Sequence, residues 1–353
     1  MRQDNRTSIG VKTGLALLAV TLMMTGTRAF AQHETILRWF TDVPYGDPND
    51  APDGIDPTGT LTFDAAGNLY GTTSGGGAFG YGTVFELSPK AGGGWRERVL
   101  YSFRGYPQDG AYPETGVILD ASGNIYGVTP SSPRPGTPYG VGVVFELLNN
   151  GSWHENVLYE FDDDEAHLSP GGLIFGPSGY LYGTTTSTNA DHNCGTVFEL
   201  GRKPGGGWDE KTLFVFDCTD GIAPYGDLIF DASGNVDGIT QAGGPDSWGV
   251  AFQLTPPTAG GDWTEKALYN FSSQTGPPTG GLVLDAVGNL YGVATEAFEL
   301  VTGTDGSWTY NPLCPVQGIA PVGSLIFDAS GNLYGATFGA GYPPNGTVYE
   351  ITP

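Results

Sequence analysis

The sequence has little positive charge and few histidines. Of its 353 residues, only 14 are Lys or Arg and 4 are His, against 38 Asp or Glu, which gives a formal net charge of −24 at pH 7. So few bases exclude a nucleic-acid-binding protein, because contacts with the phosphate backbone require Lys and Arg. The sequence also shows no Ser-His-Asp motif, P-loop, dinucleotide fingerprint or His-Glu-x-x-His spacing. No familiar class of catalytic motif is therefore indicated.

Glycine and proline are abundant, with 58 and 26 residues respectively. They are the two poorest helix formers, which argues against an ordinary α-helical domain. Such a composition also occurs in disordered chains. However, 39% hydrophobic and 12% aromatic residues are too many for a chain that buries no core. The composition predicts an acidic, turn-rich, all-β globular protein.

The N-terminus has the pattern of a secretory signal peptide. Basic residues precede an apolar run at 14–24, and Ala29-Phe30-Ala31 offers a cleavage site. A run of eleven residues is too short to span about 30 Å of hydrocarbon. Removing residues 1–31 would change the net charge from −24 to −27. No lipoprotein cysteine or later apolar stretch is seen, so we expect a periplasmic or extracellular protein without a membrane anchor.

The rest of the chain is a six-fold repeat. Its first signature is LTFDAAGNLYG at 61–71, and equivalent segments begin at residues 117, 173, 228, 282 and 325. The spacings between the Asp positions are 56, 56, 55, 54 and 43 residues, with Gly176 replacing Asp in the third repeat. A GTVFEL signature at 82–87 and a Trp-x-Glu-x-x-Leu-Tyr-x-Phe signature at 95–103 follow, and both recur in later repeats.

Each repeat supplies four short β runs separated by turn residues. Four antiparallel strands in about 50 residues, repeated six times, predict a six-bladed β-propeller over residues 32–353. A solenoid is the competing architecture. The last repeat lacks a fourth strand, whereas residues 33–40 resemble one. This arrangement favours a closed ring, with the N-terminal strand completing the last blade and no free sheet edge remaining.

These repeats resemble the GloVer (Gloeo-Verruco) tandem repeat of exported bacterial proteins. The resemblance covers the mature chain and implies export, but it assigns no activity and no catalytic residues. The Asp-x-x-Gly-Asn-Leu-Tyr turn is also similar to that of NHL and gluconolactonase-like propellers, some of which are enzymes. The fourth repeat departs from the pattern, since Val236-Asp237 replaces Leu-Tyr.

The third strand carries a recurrent acid, seen at Glu86, Glu146, Glu199, Glu299 and Glu350 and replaced by Gln253 in the fourth repeat. Bases follow on the fourth strand about twelve residues later, at Arg98, Lys211 and Lys266. The spacing predicts structural ion pairs across each hairpin.

Acidic and histidine residues are densest around the third repeat. Asp163 and His167 lie on the crossover entering it, and Asp191 and His192 lie on its long loop. Crossovers and such loops share one face of a propeller, so these four side chains form a candidate divalent-metal site, Ca²⁺ being one option. Solvated acidic loops are the alternative. The acidic stretch at 42–56 raises the same two possibilities.

Three cysteines in an exported protein suggest pairing. Cys194 and Cys218 lie on loops of one face in one repeat, so the sequence predicts a disulfide between them. Its contribution to stability would be roughly 3 kcal/mol in the chain-entropy view. Cys314, in an equivalent position two repeats after Cys218, would remain a free thiol.

We therefore expect a monomeric, non-catalytic propeller that uses its loop-built face to bind a glycan or a surface protein. The alternative is an enzyme of lactonase, lyase or glycosidase type that acts at the central pore. Carboxylates and histidines converging within about 5 Å at the pore would favour the enzyme. A pore filled by glycine and apolar side chains would favour the binding protein.

Overall fold

The computed structural model describes residues 52–105, 107, 109–130, 142–161, 167–168, 172–187, 194–258, 260–315, 321–328, 331–337 and 347–352. These residues form consecutive antiparallel sheets and contain no α-helix. Within the same ranges, no helix is long and apolar enough to cross a membrane. The predicted signal peptide lies outside the described residues.

Each repeat folds into one blade of a β-propeller. Blade one contains β1 (Ile55–Phe63), β2 (Leu69–Gly75), β3 (Thr83–Pro89) and β4 (Trp95–Ser102). Blade two contains β5 (Ile118–Leu119), β6 (Ile125–Thr129), β7 (Val143–Asn149) and β8 (Trp153–Glu160). Blade three contains β10 (Ile174–Phe175), β11 (Leu181–Ser187), β12 (Thr196–Arg202) and β13 (Trp208–Val215), with β9 (His167–Leu168) added beside β11.

The later repeats continue the pattern. Blade four contains β14 (Ile222–Phe230), β15 (Val236–Ala242), β16 (Val250–Thr255) and β17 (Thr264–Asn270). Blade five contains β18 (Val283–Leu284), β19 (Leu290–Val293), β20 (Glu296–Thr302) and β21 (Trp308–Pro315). The last sheet has three strands, β22 (Pro321–Phe327), β23 (Leu333–Thr337) and β24 (Thr347–Ile351).

The propeller prediction is confirmed, but the predicted number of complete blades is not. The described residues form five four-stranded blades rather than six, because the last sheet ends at its third strand. Residues 33–40, which the sequence assigns to the fourth strand of that sheet, lie outside the described residues.

The turn between the first two strands explains the recurrent Asp-x-x-Gly-Asn motif. In blade one, Asp64 Oδ1 accepts the backbone N–H groups of Ala66 and Asn68, each at 2.9 Å. Gly67 between them has φ of +83°, a conformation that glycine adopts without strain. The Asn–Asp bonds recur at Asp120, Asp231, Asp285 and Asp328. This local geometry sets the register of every blade in which the motif occurs.

Hydrophobic contacts between neighbouring blades form the core. After the fourth strands of blades one to four, a phenylalanine packs edge-on against the third-strand phenylalanine of the next blade. Phe103 and Phe145 have ring centroids 5.1 Å apart, and both are fully buried. The same pair recurs as Phe161–Phe198, Phe216–Phe252 and Phe271–Phe298. Truncating such a ring to Ala typically costs about 3–5 kcal/mol.

The third-strand acids have a different principal partner from the one predicted. Glu86 does pair with Arg98 at 2.5 Å. Among the described residues, however, Lys211 forms no ion pair with Glu199, and Lys266 donates to the Gly306 carbonyl. A second-strand tyrosine donates to the acid instead in three blades, as Tyr126–Glu146, Tyr182–Glu199 and Tyr291–Glu299.

In blade four the equivalent contact has its donor and acceptor exchanged between the second and third strands. Asp237 replaces the tyrosine and Gln253 replaces the glutamate, and the Gln253 amide donates to Asp237 Oδ1 at 2.8 Å. Asp237 is only 1% exposed. Burial raises the pKa of its carboxyl to about 7. The departure seen at Val236-Asp237 is therefore matched by a compensating change on the next strand.

Candidate functional site

The first strands of the blades meet at the axis of the propeller. One position before each repeat signature, the chain has Thr60, Gly116, Gly172, Asp227, Gly281 and Ser324. We call these six residues the axial ring. Asp227 is its single carboxylate, and three of its members are glycine.

The carboxylate of Asp227 is hydrogen-bonded to other parts of the protein. Its Oδ2 accepts hydrogen bonds from Ser324 Oγ at 2.6 Å and from Thr60 Oγ1 at 3.3 Å. Its Oδ1 accepts the backbone N–H of Gly172 at 3.1 Å. Donors from three other repeats thus converge on one side chain, so Asp227 ties the first strands together across the axis.

The backbones around the ring are too close together for larger side chains. A Cβ at Gly59 would lie 2.2 Å from the backbone nitrogen of Gly116. A Cβ at Gly280 would lie 2.2 Å from the carbonyl oxygen of Gly323. Real Cβ atoms do not approach backbone atoms so closely, so these positions require glycine. Beside the ring, the first strands of blades one and two, and those of blade five and the last sheet, therefore pack backbone against backbone.

Polar side chains lie at the mouth of the axis, two positions before the ring. Glu114 keeps an exposed side chain, although neighbouring protein atoms raise the pKa of its carboxyl. Burial raises the pKa of Tyr225, and the charges of Glu114 and Asp227 raise it further. Sequence reasoning did not identify Glu114, Tyr225 or Asp227. Aligning the six repeats one and three residues upstream of the signature would have shown that these positions differ between blades.

Aromatic side chains lie together on the loop face, which is formed by the loops between second and third strands and by the crossovers. Phe79 and Tyr81 come from the β2–β3 loop, and Arg104 and Tyr112 from the crossover that follows β4. We call these four residues the aromatic shelf. Phe79 is 47% exposed and Tyr112 is 36% exposed. The shelf was not predicted, because nothing in the sequence brings residues 79 and 112 together without the fold.

Contacts within the shelf fix its shape. The Tyr81 and Tyr112 rings meet edge-to-face with centroids 5.5 Å apart. The Arg104 guanidinium lies 5.4 Å from the centroid of Phe79, within cation–π range. Tyr112 N–H donates to the Tyr81 carbonyl at 2.9 Å. Rings held by a scaffold in this way lose little conformational entropy when they bind a ligand.

Tyr112 occupies an unusual backbone conformation, with φ of +56°. The equivalent crossover residues Asp56 and Ala223 have φ of +54° and +53°. Repeats one, two and four therefore share the left-handed conformation at this position, with three different side chains, whereas repeat five has Pro277 there. A tyrosine there is strained, since bulky residues rarely adopt this region.

The predicted metal residues remain a prediction. Asp163, Asp191 and His192 lie outside the described residues, as does most of the acidic stretch at 42–56. The backbone of His167 lies in β9 and pairs with Ser187 of β11. Within the described part of the chain, no three His, Cys, Asp or Glu residues are grouped so that they could hold a metal ion.

A disulfide joins Cys194 to Cys218, the pair that the sequence predicted, with the two Cα atoms 5.2 Å apart. It links the start of the third strand of blade three to the crossover that leaves the blade. The Cys194 carbonyl also accepts the N–H of Ala223 at 2.8 Å. Cys314 is a free, half-buried thiol, and burial raises its pKa.

The fold is similar to that of several solved propellers. A putative oxidoreductase (glucose dehydrogenase) of Thermus thermophilus matches with a TM-score of 0.54 and 18% identity, over 85% of this chain and 97% of that chain. A gluconolactonase of Xanthomonas campestris matches with a TM-score of 0.50 and 14% identity, over 80% and 84%. A luciferin-regenerating enzyme matches with a TM-score of 0.54 and 13% identity, over 85% and 92%. At such identities the similarity shows the fold alone.

Sequence comparison identifies the family. No curated protein matches the chain in sequence. The Gloeobacter/Verrucomicrobia repeat, however, matches residues 58–304, which is more than half of the chain. The resemblance inferred from the repeats is thus confirmed, and the chain belongs to the Gloeobacter/Verrucomicrobia repeat family.

Proposed function

We propose that this chain is an exported, non-catalytic propeller that binds a carbohydrate on the aromatic shelf of its loop face. The observation that carries the proposal is the cluster formed by the exposed Phe79 and Tyr112 with the half-buried Tyr81. Aromatic rings present flat apolar surfaces that match the C–H faces of sugar rings. The polar ends of tyrosines and the donors of Arg104 suit sugar hydroxyl groups. Export rests on the sequence of residues 1–31.

The state of the axis supports binding rather than catalysis. A catalytic carboxylate must be able to reach a substrate, and Asp227 already accepts bonds from Thr60, Gly172 and Ser324. Beside it, the first strands of neighbouring blades approach each other backbone to backbone at Gly59 and Gly280. These features support a ligand held at the surface.

An enzyme at the mouth of the axis is the second candidate. The charge of Glu114 acts on Tyr225 there, and the raised pKa of Glu114 suits a general acid. Two similar structures are described as a glucose dehydrogenase and a gluconolactonase, which supports a sugar-related ligand by analogy of fold. Turnover that disappears in Glu114→Gln would favour this candidate.

The binding proposal predicts the effect of changes to the shelf. On a glycan array, Phe79→Ala and Tyr112→Gly should each weaken binding of the preferred glycan at least tenfold, since each removes a stacking ring. Glycine at position 112 also relieves the strained backbone, so Tm should not fall. Trp248→Ala is the matched control, because Trp248 is 39% exposed on the equivalent loop of blade four. Equal losses in Trp248→Ala and the shelf variants, or unchanged binding by the shelf variants, would contradict the proposal.

We also propose that the ring closes as six blades, with residues 33–40 supplying the fourth strand of the last sheet. The support comes from blade one. Leu61 is 45% exposed, whereas the equivalent Val117, Leu173, Leu228, Leu282 and Leu325 are at most 2% exposed. In blade two, Val117 is covered by Leu100 and Phe103 of the preceding fourth strand. The corresponding residues for Leu61 are Leu37 and Phe40.

Ring closure predicts that Leu37 behaves as a core residue. Leu37→Ala should lower the free energy of unfolding by about 2 kcal/mol, as expected when a buried leucine is truncated. Leu100→Ala is the matched reference, since Leu100 is 8% exposed at the equivalent position of blade one. Urea unfolding of the mature chain measures both. A destabilising Leu100→Ala together with a neutral Leu37→Ala would show that residues 33–40 do not complete the ring.

A further inference from the structure

The few positive charges of the chain are concentrated in the hairpins between third and fourth strands. In blade one this hairpin, β3–β4, forms an open pocket of about 530 Å³ lined by residues that include Glu86, Ser88, Lys90, Arg96 and Arg98. The pocket lies at the opposite end of β3 from the loop face. We propose that it is a second binding site, for a single anionic group carried on a sugar-sized molecule, such as an acidic or phosphorylated sugar.

The basic side chains of the pocket have fewer partners within the protein than the equivalent bases of blade three. In blade three, Arg202 stacks on Trp208 at 4.5 Å and Lys203 pairs with Asp209 at 3.0 Å. In the pocket, the side chains of Lys90 and Arg96 form no ion pair with any described residue. Three bases and one acid line it, in a chain with a net charge of −24. The pocket is therefore a local positive site on an acidic protein.

The strand register places the two arginines side by side. Arg96 lies opposite Ser88, and Arg98 lies opposite Glu86. Because residues two positions apart on a strand share a face, all four side chains lie on one face of the hairpin. Glu86 Oε2 accepts the Nε and Nη2 groups of Arg98 at 3.2 and 2.5 Å. This contact holds the guanidinium in place, and its remaining N–H groups and those of Arg96 can donate to a ligand. Two such forks suit the oxygens of a phosphate, sulfate or carboxylate.

Size and net charge narrow the class of ligand. Pockets of about 300–1,000 Å³ hold small molecules, so this one has room for one or two sugar rings. A dense polyanion such as nucleic acid would need many more cationic contacts than this pocket supplies. The strongly acidic remainder of the chain would repel it. A single charged group on a small ligand avoids that repulsion.

Isothermal titration of the mature chain with glucose 6-phosphate, glucuronate, glucose and inorganic phosphate tests the site. We expect one or both charged sugars to bind, to bind more weakly as salt rises, and to lose at least tenfold in affinity in Arg96→Gln and Lys90→Gln. Lys203→Gln, a base on the equivalent hairpin of blade three, should bind as the wild type does. Phe79→Ala should also bind these ligands normally, because the site is independent of the aromatic shelf.

Three results would overturn the proposal. The first is that neither charged sugar binds at millimolar concentration while circular dichroism shows the protein folded. The second is that Arg96→Gln and Lys203→Gln bind equally well, which would indicate non-specific attraction. The third is that inorganic phosphate binds as tightly as glucose 6-phosphate, which would show that the pocket does not recognise the sugar.

Discussion

Between pH 5 and pH 8 the folded protein should lose about 10 °C in Tm. Three buried or half-buried carboxyls bind a proton more tightly in the folded state than in the unfolded chain. Burial raises the pKa of Glu155 to about 8 from 4.5, and the charge of Asp109 adds to the effect. Burial likewise raises the pKa of Glu265 to about 7 from 4.5, with further increases from Asp220 and Asp217. Burial also raises the pKa of the Asp237 carboxyl, to about 7 from 3.8.

The sign of the effect follows from proton linkage. Below the unfolded pKa both states are protonated, so the full stability is present. As pH rises from about 4.5 towards 8, the unfolded chain loses these protons first, and stability falls. One such group contributes at most about 1.4 kcal/mol per pH unit. Because Glu265 is only partly shielded from water, screening reduces its share, and we expect a total of about 5 kcal/mol. At about 2 °C per kcal/mol, this corresponds to the predicted shift in Tm.

At low pH, protonation of the aspartates in the turns lowers the stability of the fold. Asp64, Asp120 and Asp285 accept backbone and Asn N–H groups, and these bonds hold their pKa values below the usual 3.8. They stabilise the fold above the unfolded pKa, and that contribution is lost as pH falls through the folded pKa. Stability should therefore be highest near pH 4–5. Glu155→Gln should flatten the alkaline slope in calorimetric scans, and a Tm that rises between pH 5 and pH 8 would contradict the assignment.

Gln253→Glu should destabilise the protein by about 4 kcal/mol at pH 8. The substitution would place a second carboxylate at hydrogen-bond distance from the buried Asp237, where the Gln253 amide now donates at 2.8 Å. Leaving a buried charge without compensation typically costs about 3–5 kcal/mol. At pH 5 the cost should be smaller, because two close carboxylates can share one proton.

A second substitution should restore the stability. Asp237→Tyr combined with Gln253→Glu recreates the pair seen in blade five, where Tyr291 donates to Glu299 at 2.7 Å. The new ring would meet Leu284 of the next blade, much as Tyr70 meets Leu119 at the first junction. Urea unfolding of the two single variants and the double variant gives the coupling energy. A double variant as unstable as Gln253→Glu alone would show that the contact in blade four is not an inverted copy of the others.

Much of the fold could be predicted from the sequence because each repeat contains local turn motifs and strand patterns that recur at fixed spacing. Asp64, Gly67 and Asn68 are close together in the chain, and the turn residues recognised in the sequence do form a local turn between the first two strands. The pair Cys194 and Cys218 was found by the same reasoning, since repeat positions map onto one face of the propeller. The sixth complete blade remains a prediction, because its fourth strand lies outside the described residues.

The polar network and the candidate site required the fold. The recurrent Glu and Tyr were both visible in the sequence, but only the structure shows that Tyr182 rather than the fourth-strand Lys211 reaches Glu199. The aromatic shelf joins residues from a loop and a crossover separated by more than twenty positions. Asp227 was not noticed because one acid among 38 carries no signal until its place on the axis is known.

The central claim is that the loop face binds a carbohydrate without transforming it. The most direct measurement incubates the purified mature chain with the glycan selected on the array, and then recovers that glycan for mass spectrometry. The account predicts saturable binding with one site per chain, loss of binding in Tyr112→Gly, and recovery of the glycan with its mass unchanged. A product that accumulates with the wild type and is absent with Glu114→Gln would contradict the account and identify an enzyme acting at the mouth of the axis.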